Sequence, residues 1–449
     1  MILTTIVAFI FVLSIVVFVH EFGHFFVAKM NKIFVTTFSF GFGAKLLRRK
    51  IGETEFVVSA IPFGGYVKFA GESDDDSQKT EEELELESFV PEYRLYRNKH
   101  PLQKMSVVLA GPLMNALFAL IVFIASLWIQ GVRVHPGTVV LEVQEGSPAA
   151  EAGFQPGDEI LSINGEEFDH WGELSMLVTL DEQVESTFRV SRGGETVTLR
   201  LAPAFDPEDN LWEIGVRSPL PAKVGDVKKG SPAEKAGIRP GAVILSINDT
   251  TVTEYAELEE FIHPRPGVPM EFVWEHEGRR DSATIIPAGV DASSGGERLD
   301  VVKVGGIGIG PPLESMRIPF TDAVSYGTEG FVDLVYAILA FLKKLVTGKA
   351  TVRAVGGPLR VGIMAGDMLA WGFSYLIYFL AFFSLNLAIF NLIPILPFDG
   401  GHFVLYGVEL VSGRSINRKV QQVMMQVGFI ILVALMVFIL FVDIFNLFS

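Results

Sequence analysis

Residues 16–28, VVFVHEFGHFFVA, carry His20, Glu21 and His24 within five positions. On a helix, two histidines four residues apart share a face, and their imidazoles can ligate one metal ion. Glu21 stands beside that face, where a carboxylate can take a proton from an attacking water. These residue types at this spacing point to metal-assisted hydrolysis, with one zinc ion as the expected cofactor. The plain alternative is a pair of helix histidines satisfied by neighbouring polar groups. The surroundings weigh against it, because positions 6–19 are an almost unbroken apolar run. Ionisable residues in a membrane-like segment are costly unless paired, and they usually mark function.

A catalytic zinc typically has three protein ligands and one open position, so a third ligand must come from elsewhere. The segment SLNLAIFNLIPILPFDGGH (384–402) offers Asp399, with Asn386 and Asn391 before it and Pro394 and Pro397 breaking the helix. A carboxylate followed by two glycines at a broken helix end can be aimed into a helix bundle, and irregular backbone at membrane depth is tolerated where protein or water satisfies it. His402 is the alternative third ligand.

The elements that must position these groups are membrane helices. Stretches 3–28, 107–130, 375–395 and 423–448 are each long and apolar enough to cross a bilayer, which takes about 20 residues. The first lacks a basic n-region and a small-residue cleavage signal, so it is expected to be a retained helix. Lys29, Lys32, Lys45, Arg48, Arg49, Lys50, Arg94, Arg97, Lys99 and Lys104 follow span one, and Arg414, Arg418 and Lys419 join spans three and four. By the positive-inside rule both connections face the cytoplasm, which puts both termini and residues 131–370 on the other side. His20, Glu21, His24 and Asp399 then all fall toward the cytoplasmic ends of their spans.

Composition agrees with spans joined to soluble domains: 449 residues are 49% hydrophobic and 20% charged, with mean hydropathy +0.40. A net charge of −16 argues against a nucleic-acid binder. With no cysteine, a disulfide framework, a zinc ribbon and a thiol nucleophile are excluded.

The middle of the chain is a repeat. EGSPAAEAGFQPGDEILSING (145–165) matches KGSPAEKAGIRPGAVILSIND (229–249) at 13 of 21 positions, offset by 84. Each unit reads as a Gly-Ser-Pro turn opening a short helix, a Pro-Gly turn, and a strand ending at Asn, with a strand before it at 138–143 or 222–227. These units resemble circularly permuted PDZ domains. The resemblance makes EIGVRS (213–218) and GIGIGP (306–311) the carboxylate-binding loops, where peptide C-termini could be captured. Domains that only obstruct access are the alternative.

Taken in order, HEFGH, AGPLMN (110–115), the two PDZ-like units and NLIPILPFDGGH resemble the site-2 protease family of intramembrane zinc metalloproteases over essentially the whole chain. One local departure is the second proline, Pro397, which stands one position later than in the family pattern. The resemblance implies His20, His24 and Asp399 as zinc ligands, Glu21 as catalytic base, and Asn391 and Asn386 as holders of extended substrate. It makes SFGFGAKL (39–46) and EFVVSAIPFGGYVKFAG (55–71) a membrane-associated β-hairpin region whose edge, at Gly65, Tyr66 and Val67, pairs with substrate; an ordinary cytoplasmic hairpin is the alternative. Asn115 could hydrogen-bond near the site or serve as helix-packing glue.

The expected fold class is a multi-domain integral membrane protein: a four-span α-helical membrane domain with a β-hairpin region, plus two tandem permuted PDZ domains of α+β type. The expected domains are 1–130, 131–218, 219–312, a linker with an amphipathic helix on the outer membrane face at 313–370, and 371–449. The acidic stretch 72–87 reads as a solvated loop. The resemblance implies a bacterial inner-membrane location and single-span membrane substrates, such as a trimmed anti-sigma factor and remnant signal peptides, with the PDZ pair as a size filter. Two rivals remain: a non-catalytic membrane scaffold, and a cytosol-facing zinc protease using Glu53 or Glu55 as third ligand. A transporter would show inverted hydropathy repeats, which are absent from the sequence.

Overall fold

The computed structural model describes residues 2–72, 80–167, 170–171, 185–206, 211–293, 300–351, 356–414 and 417–448. Two compact units are formed: 1–128 with 293–301 and 319–449, and 129–292 with 302–318.

The first unit contains eight α-helices among the described residues: α1 (Ile2–Met30), α2 (Glu81–Phe89), α3 (Pro101–Gln130), α4 (Phe320–Val346), α5 (Pro358–Trp371), α6 (Phe373–Asn391), α7 (Asp399–Ser412) and α8 (Arg418–Phe448). Of these, α1, α3, α6 and α8 are long and apolar enough to cross a membrane. The third span stops at Asn391, four residues before its expected end at 395, because the segment with Pro394 and Pro397 cannot continue a helix. The Leu396–Pro397 peptide is cis.

Three differences from the sequence expectation have physical causes. Strands β1 (Val35–Ile51) and β2 (Thr54–Phe69) do not form a simple hairpin. Residues 35–40 pair on one side with 65–69 and on the other with 55–58, which in turn pairs with 47–51. The bend in β1 falls at Gly41, whose φ of +92° suits glycine and whose missing side chain lets the Ile61 carbonyl approach. The second concerns α4: Ile338 of its apolar stripe is buried with Ala119 of α3 and with Ala381 and Leu385 of α6, a packing the sequence does not announce. Burying that stripe on two spans removes it from solvent without requiring the helix itself to be wholly apolar. Third, the acidic stretch is not all loop, since residues 81–89 form α2; residues 73–79 of that stretch lie outside the described residues.

Small residues set the helix contacts, as expected where close backbone approach replaces hydrophobic drive. Helix α5 packs on α1 with Ala365 against Ala8 and Val12, and Gly366 leaves room for Thr5. The buried Asp443 of α8 accepts hydrogen bonds from the Gly357 and Arg360 N–H groups at the start of α5, both at 3.2 Å. A carboxylate there satisfies orphan donors and meets the positive end of the helix dipole.

The second unit carries two sheets of the same order. Strands β3 (Glu159–Ile163), β4 (Glu166–Glu167), β5 (Ser186–Arg192) and β6 (Glu195–Leu201) run β4-β3-β5-β6. Strands β7 (Val243–Ile247), β8 (Thr250–Thr251), β9 (Met270–His276) and β10 (Arg279–Ile285) run β8-β7-β9-β10. Each pairing of β3 with β5 and of β7 with β9 shifts register at the same repeat position, Ile160/Ser162 and Ile244/Ser246. The short helices Pro148–Ala152 and Pro232–Ala236 are capped alike by Ser147 and Ser231 and end at left-handed Gly153 and Gly237.

The two repeats differ in one buried charge. Asp158, fully buried, takes a bidentate pair of 2.7 Å bonds from Arg192. The matching positions 84 residues on are Ala242 and His276, so both charges are replaced together. The Arg192 guanidinium holds the Asp158 carboxyl below the usual carboxylate range. A lowered folded pKa means that this group's contribution is complete above about pH 4, the unfolded value, and fades as pH falls toward the folded one. Arg192→Ala leaves a buried carboxylate unpaired and is expected to cost about 3 kcal/mol, the low end for a broken buried pair because the guanidinium is partly exposed. Thermal unfolding of this unit in the whole protein checks it: the gap to wild type is present at pH 7 and narrows below about pH 4. A gap unchanged at low pH refutes the assignment to the ion pair.

Candidate active site

The site is assembled from α1, α3, α7 and β2. Gly23, inside the HEFGH motif, is where α1 meets α3: a Cβ there would collide with the Ala110 carbonyl. Close approach at Gly23 brings His20 and His24 against Gly111 of α3, whose own missing side chain leaves space for both imidazoles. The AGPLMN segment therefore forms the wall behind the histidine pair.

Asp399 is the first residue of α7. Gly400 and Gly401 let that first turn tuck under the preceding loop, since a Cβ on either would strike the backbone of residues 392–396. Lys104 of α3 fixes the helix farther along, 3.6 Å from Glu409 and over the Tyr406 ring. Asp399 Oδ2 then lies 3.1 Å from His20 Nε2 and 3.6 Å from His24 Nε2, and the two Nε2 atoms are 3.2 Å apart. Among the described residues, this trio is the one cluster of potential metal donors.

The trio fits zinc. Donors bonded to one tetrahedral ion at about 2.0–2.2 Å are separated by about 3.3–3.6 Å, close to the three observed spacings. His24 Nδ1 donates to the Val107 carbonyl at 2.8 Å, which turns the Nε2 lone pair toward the trio.

Glu21 faces β2 instead of joining the trio. Its carboxylate accepts the Val67 backbone N–H, and its Cγ would meet any Cβ placed on Gly65 at 2.9 Å. Phe18 and Phe25 hold α1 on the sheet, edge-on to Phe38, and Phe25 also meets Phe56. Among the described residues no strand pairs with the outer edge of 65–69. The Glu21 carboxylate of the motif is thus beside an open strand edge.

The other sequence candidates fall as follows. Tyr66 stacks on Phe42 with ring centroids 6.2 Å apart. Asn386 donates back to the Phe382 carbonyl of its own helix at 2.8 Å. Asn391 is half-buried at the end of α6. His402 is outside the trio, one turn into α7, with its ring near Tyr406. Glu53 is held by Lys29 at 2.6 Å and Arg94 at 2.7 Å, and Glu55 by Lys45 at 2.7 Å. Neither acid of the cytosol-facing rival is near the histidines.

The model of peptidase family M50 matches residues 8–435. The chain belongs to peptidase family M50. This is the site-2 protease family, and the chain is a zinc metalloprotease and a membrane protein. It is 31% identical over 463 residues to a Neisseria meningitidis serogroup A protein described as a zinc metalloprotease, with 98% of each chain covered. It is 31% identical over 462 residues to the regulator of sigma-E protease RseP of Salmonella typhimurium, again covering 98% of both. Against the Escherichia coli K12 protein of the same name, identity is 30% over 471 residues, covering 97% of both. Among solved structures, the PDZ domain of an SdrC-like protein of Listeria innocua is 24% identical, with a TM-score of 0.17, covering 18% of this chain and 91% of that one.

For an M50 chain, Gly23, Gly111 and the Val107 carbonyl are the contributors that the sequence reading missed. The signal for the glycines was their place inside HEFGH and AGPLMN; a backbone carbonyl leaves no side-chain signal. Gly111→Ala puts a methyl 2.7 Å from His24 Cε1 and 2.8 Å from His20 Cε1. Alanine is the better helix former by about 1 kcal/mol, so α3 itself should gain. The expected result is a 10–100-fold loss of zinc affinity with parallel loss of cleavage, read by zinc retention against graded chelator. Unchanged retention would remove Gly111 from the site.

Proposed function

We propose that this membrane zinc metalloprotease hydrolyses peptide bonds inside the spans of single-span substrates. The observation that carries the reading is the His20–His24–Asp399 trio, its histidines on the membrane-type helix α1 and its carboxylate at the start of α7, with Glu21 beside an open strand edge. A soluble substrate needs no such placement; a transmembrane helix does, because its amide must be unwound and held extended before attack. The edge around Gly65 can hold it by strand addition, with the Val67 N–H given to Glu21.

In this reading His20, His24 and Asp399 hold one zinc ion. When bound, zinc supplies Lewis-acid polarisation and lowers the pKa of water to about 7. Glu21 takes a proton from the attacking water and passes it to the leaving amine. The Val67 N–H orients the carboxylate between those two transfers. Gly65 keeps the strand surface low enough for substrate to reach Glu21. Asn391, at the end of α6, is assigned to the substrate strand by the family resemblance, with Asn386 as a more peripheral contributor.

The relatives' names support a role in sigma-E regulation; the family resemblance adds an anti-sigma factor trimmed outside the membrane and remnant signal peptides as the proposed substrates. The location is the bacterial inner membrane, with the active site toward the cytoplasm and the termini and middle unit periplasmic. The two sheet-and-helix repeats are read as tandem permuted PDZ domains. In each, the returning segment packs on the start of the unit, through Ala149 N to Ile214 O and Ala233 N to Ile307 O. In the second, Tyr255 donates to the Ile309 carbonyl at 3.0 Å. That carbonyl is one an added peptide strand would use, which supports a filtering role for this domain over C-terminal capture.

The test is purified protein in detergent with a tagged single-span substrate, either trimmed to a short outer tail or carrying its full outer domain. The expected result is chelator-sensitive cleavage within the span of the trimmed form alone. Equal cleavage of both forms would end the filter reading. Cuts confined to soluble segments would end the intramembrane one.

A further inference from the structure

We infer that Asn115 is a positioning residue of the metal site, whose side-chain carbonyl accepts the His20 Nδ1–H and fixes the tautomer that turns Nε2 toward the trio. The inference rests on reading His20, His24 and Asp399 as one metal site.

Asn115 is wholly buried in α3. Its side-chain nitrogen lies 3.4 Å from His20 Nδ1. Its side-chain oxygen is buried with no hydrogen-bond partner. An orphaned carbonyl in a buried site costs free energy, and amide N and O are exchanged by a half-turn of the side chain. The exchange gives the oxygen a partner and moves the amide nitrogen to the place the oxygen held. The oxygen moves opposite His20 Nδ1, and an N–H on that atom gains an acceptor.

The choice of tautomer follows. With Nδ1 protonated and bonded to Asn115, His20 Nε2 is a bare lone pair, 3.1 Å from Asp399 Oδ2 and 3.2 Å from His24 Nε2. With the amide nitrogen opposite Nδ1, the proton belongs on Nε2 and blocks the ligand position. His24 already has the first arrangement through the Val107 carbonyl at 2.8 Å. Helix α3 thus supplies an outer acceptor to each histidine, a backbone carbonyl for one and a side-chain carbonyl for the other. Metal-bound histidines almost always donate their second ring nitrogen in this way.

The amide is also held in place. The Asn115 backbone carbonyl accepts the hydroxyl of the buried Ser384 of α6 at 2.9 Å, tying this turn of α3 to the neighbouring span. An amide suits the position because it orients His20 without adding a charge beside Asp399 and Glu21 at membrane depth.

The experiment compares zinc affinity by chelator competition in the detergent-purified full chain for wild type, Asn115→Leu, Asn115→Ser, Asn115→Asp and His20→Ala, with thermal unfolding of the zinc-free forms alongside. Leucine removes the acceptor at similar volume, serine is too short to reach Nδ1, and aspartate keeps an acceptor oxygen. The expected result is a 10–100-fold weaker affinity for the leucine and serine variants, and recovery of most of it by aspartate. Zinc affinity within about threefold of wild type in a folded leucine or serine variant, with only the zinc-free melting lowered, makes Asn115 packing glue and overturns the inference. Equal loss in the aspartate variant also overturns it. The site itself fails separately if His20→Ala binds zinc as tightly as wild type.

Discussion

Glu21→Gln leaves the protein folded and zinc-loaded while slowing cleavage by about 10²–10⁴, the usual worth of a positioned general base. The geometry separates the two effects. Glu21 is not in the trio, so its replacement removes no donor from the His20, His24 and Asp399 cluster. Glutamine is nearly isosteric and keeps an acceptor oxygen for the Val67 N–H, so the contact between α1 and β2 survives. What is lost is the capacity to take a proton from water and return it to the amine. Single-turnover rates on a trimmed single-span substrate, with zinc content measured on the same samples, decide it. Full activity in the glutamine variant would revive the non-catalytic scaffold or move the base elsewhere. Loss of zinc along with activity would mean that Glu21 shapes the metal site.

What the sequence could show depended on how local each signal was. The spans and HEFGH are written within single helices, so periodicity and spacing expose them. The 13 identities between the repeats likewise place the short helices 148–152 and 232–236 correctly. The bent sheet was hidden because residues 35–40 pair with two different parts of β2, and alternation along a strand does not say how many partners it has. Helix α5 went unread: glycines at 362 and 366 weaken a helical signal, although in the fold they serve contact with α1. At the site, the trio brings together residues 20, 24 and 399, while the outer partners of the histidines sit at 107 and 115. Nothing in a single sequence reports that Asn115 faces a histidine 95 positions away.

Asp399→Ala is expected to lower zinc affinity by about 10²–10³ and to abolish cleavage, whereas His402→Ala leaves zinc in place. The magnitude follows from sharing an apparent structural-zinc binding energy of roughly 10–16 kcal/mol among four ligands, about 2.5–4 kcal/mol each. The loss should not come from α7 unfolding. Asp399 occupies its first turn, where a carboxylate favours the helix dipole by only about 0.3–1 kcal/mol, and Lys104 with Glu409 anchors the helix farther along. His402 offers the discriminating control. It stands three residues after Asp399, carries a softer donor, and was the other sequence candidate, yet its ring sits near Tyr406 and outside the trio. Zinc retention against graded chelator in the two variants separates the ligands without relying on activity. Release of zinc by His402→Ala, with retention by Asp399→Ala, would require α7 to turn by most of a helical step and would replace the third ligand. The expected pattern instead ties hydrolysis to the loop at 392–398, because that loop and Gly400–Gly401 are what bring a carboxylate to two histidines almost 380 positions earlier in the chain.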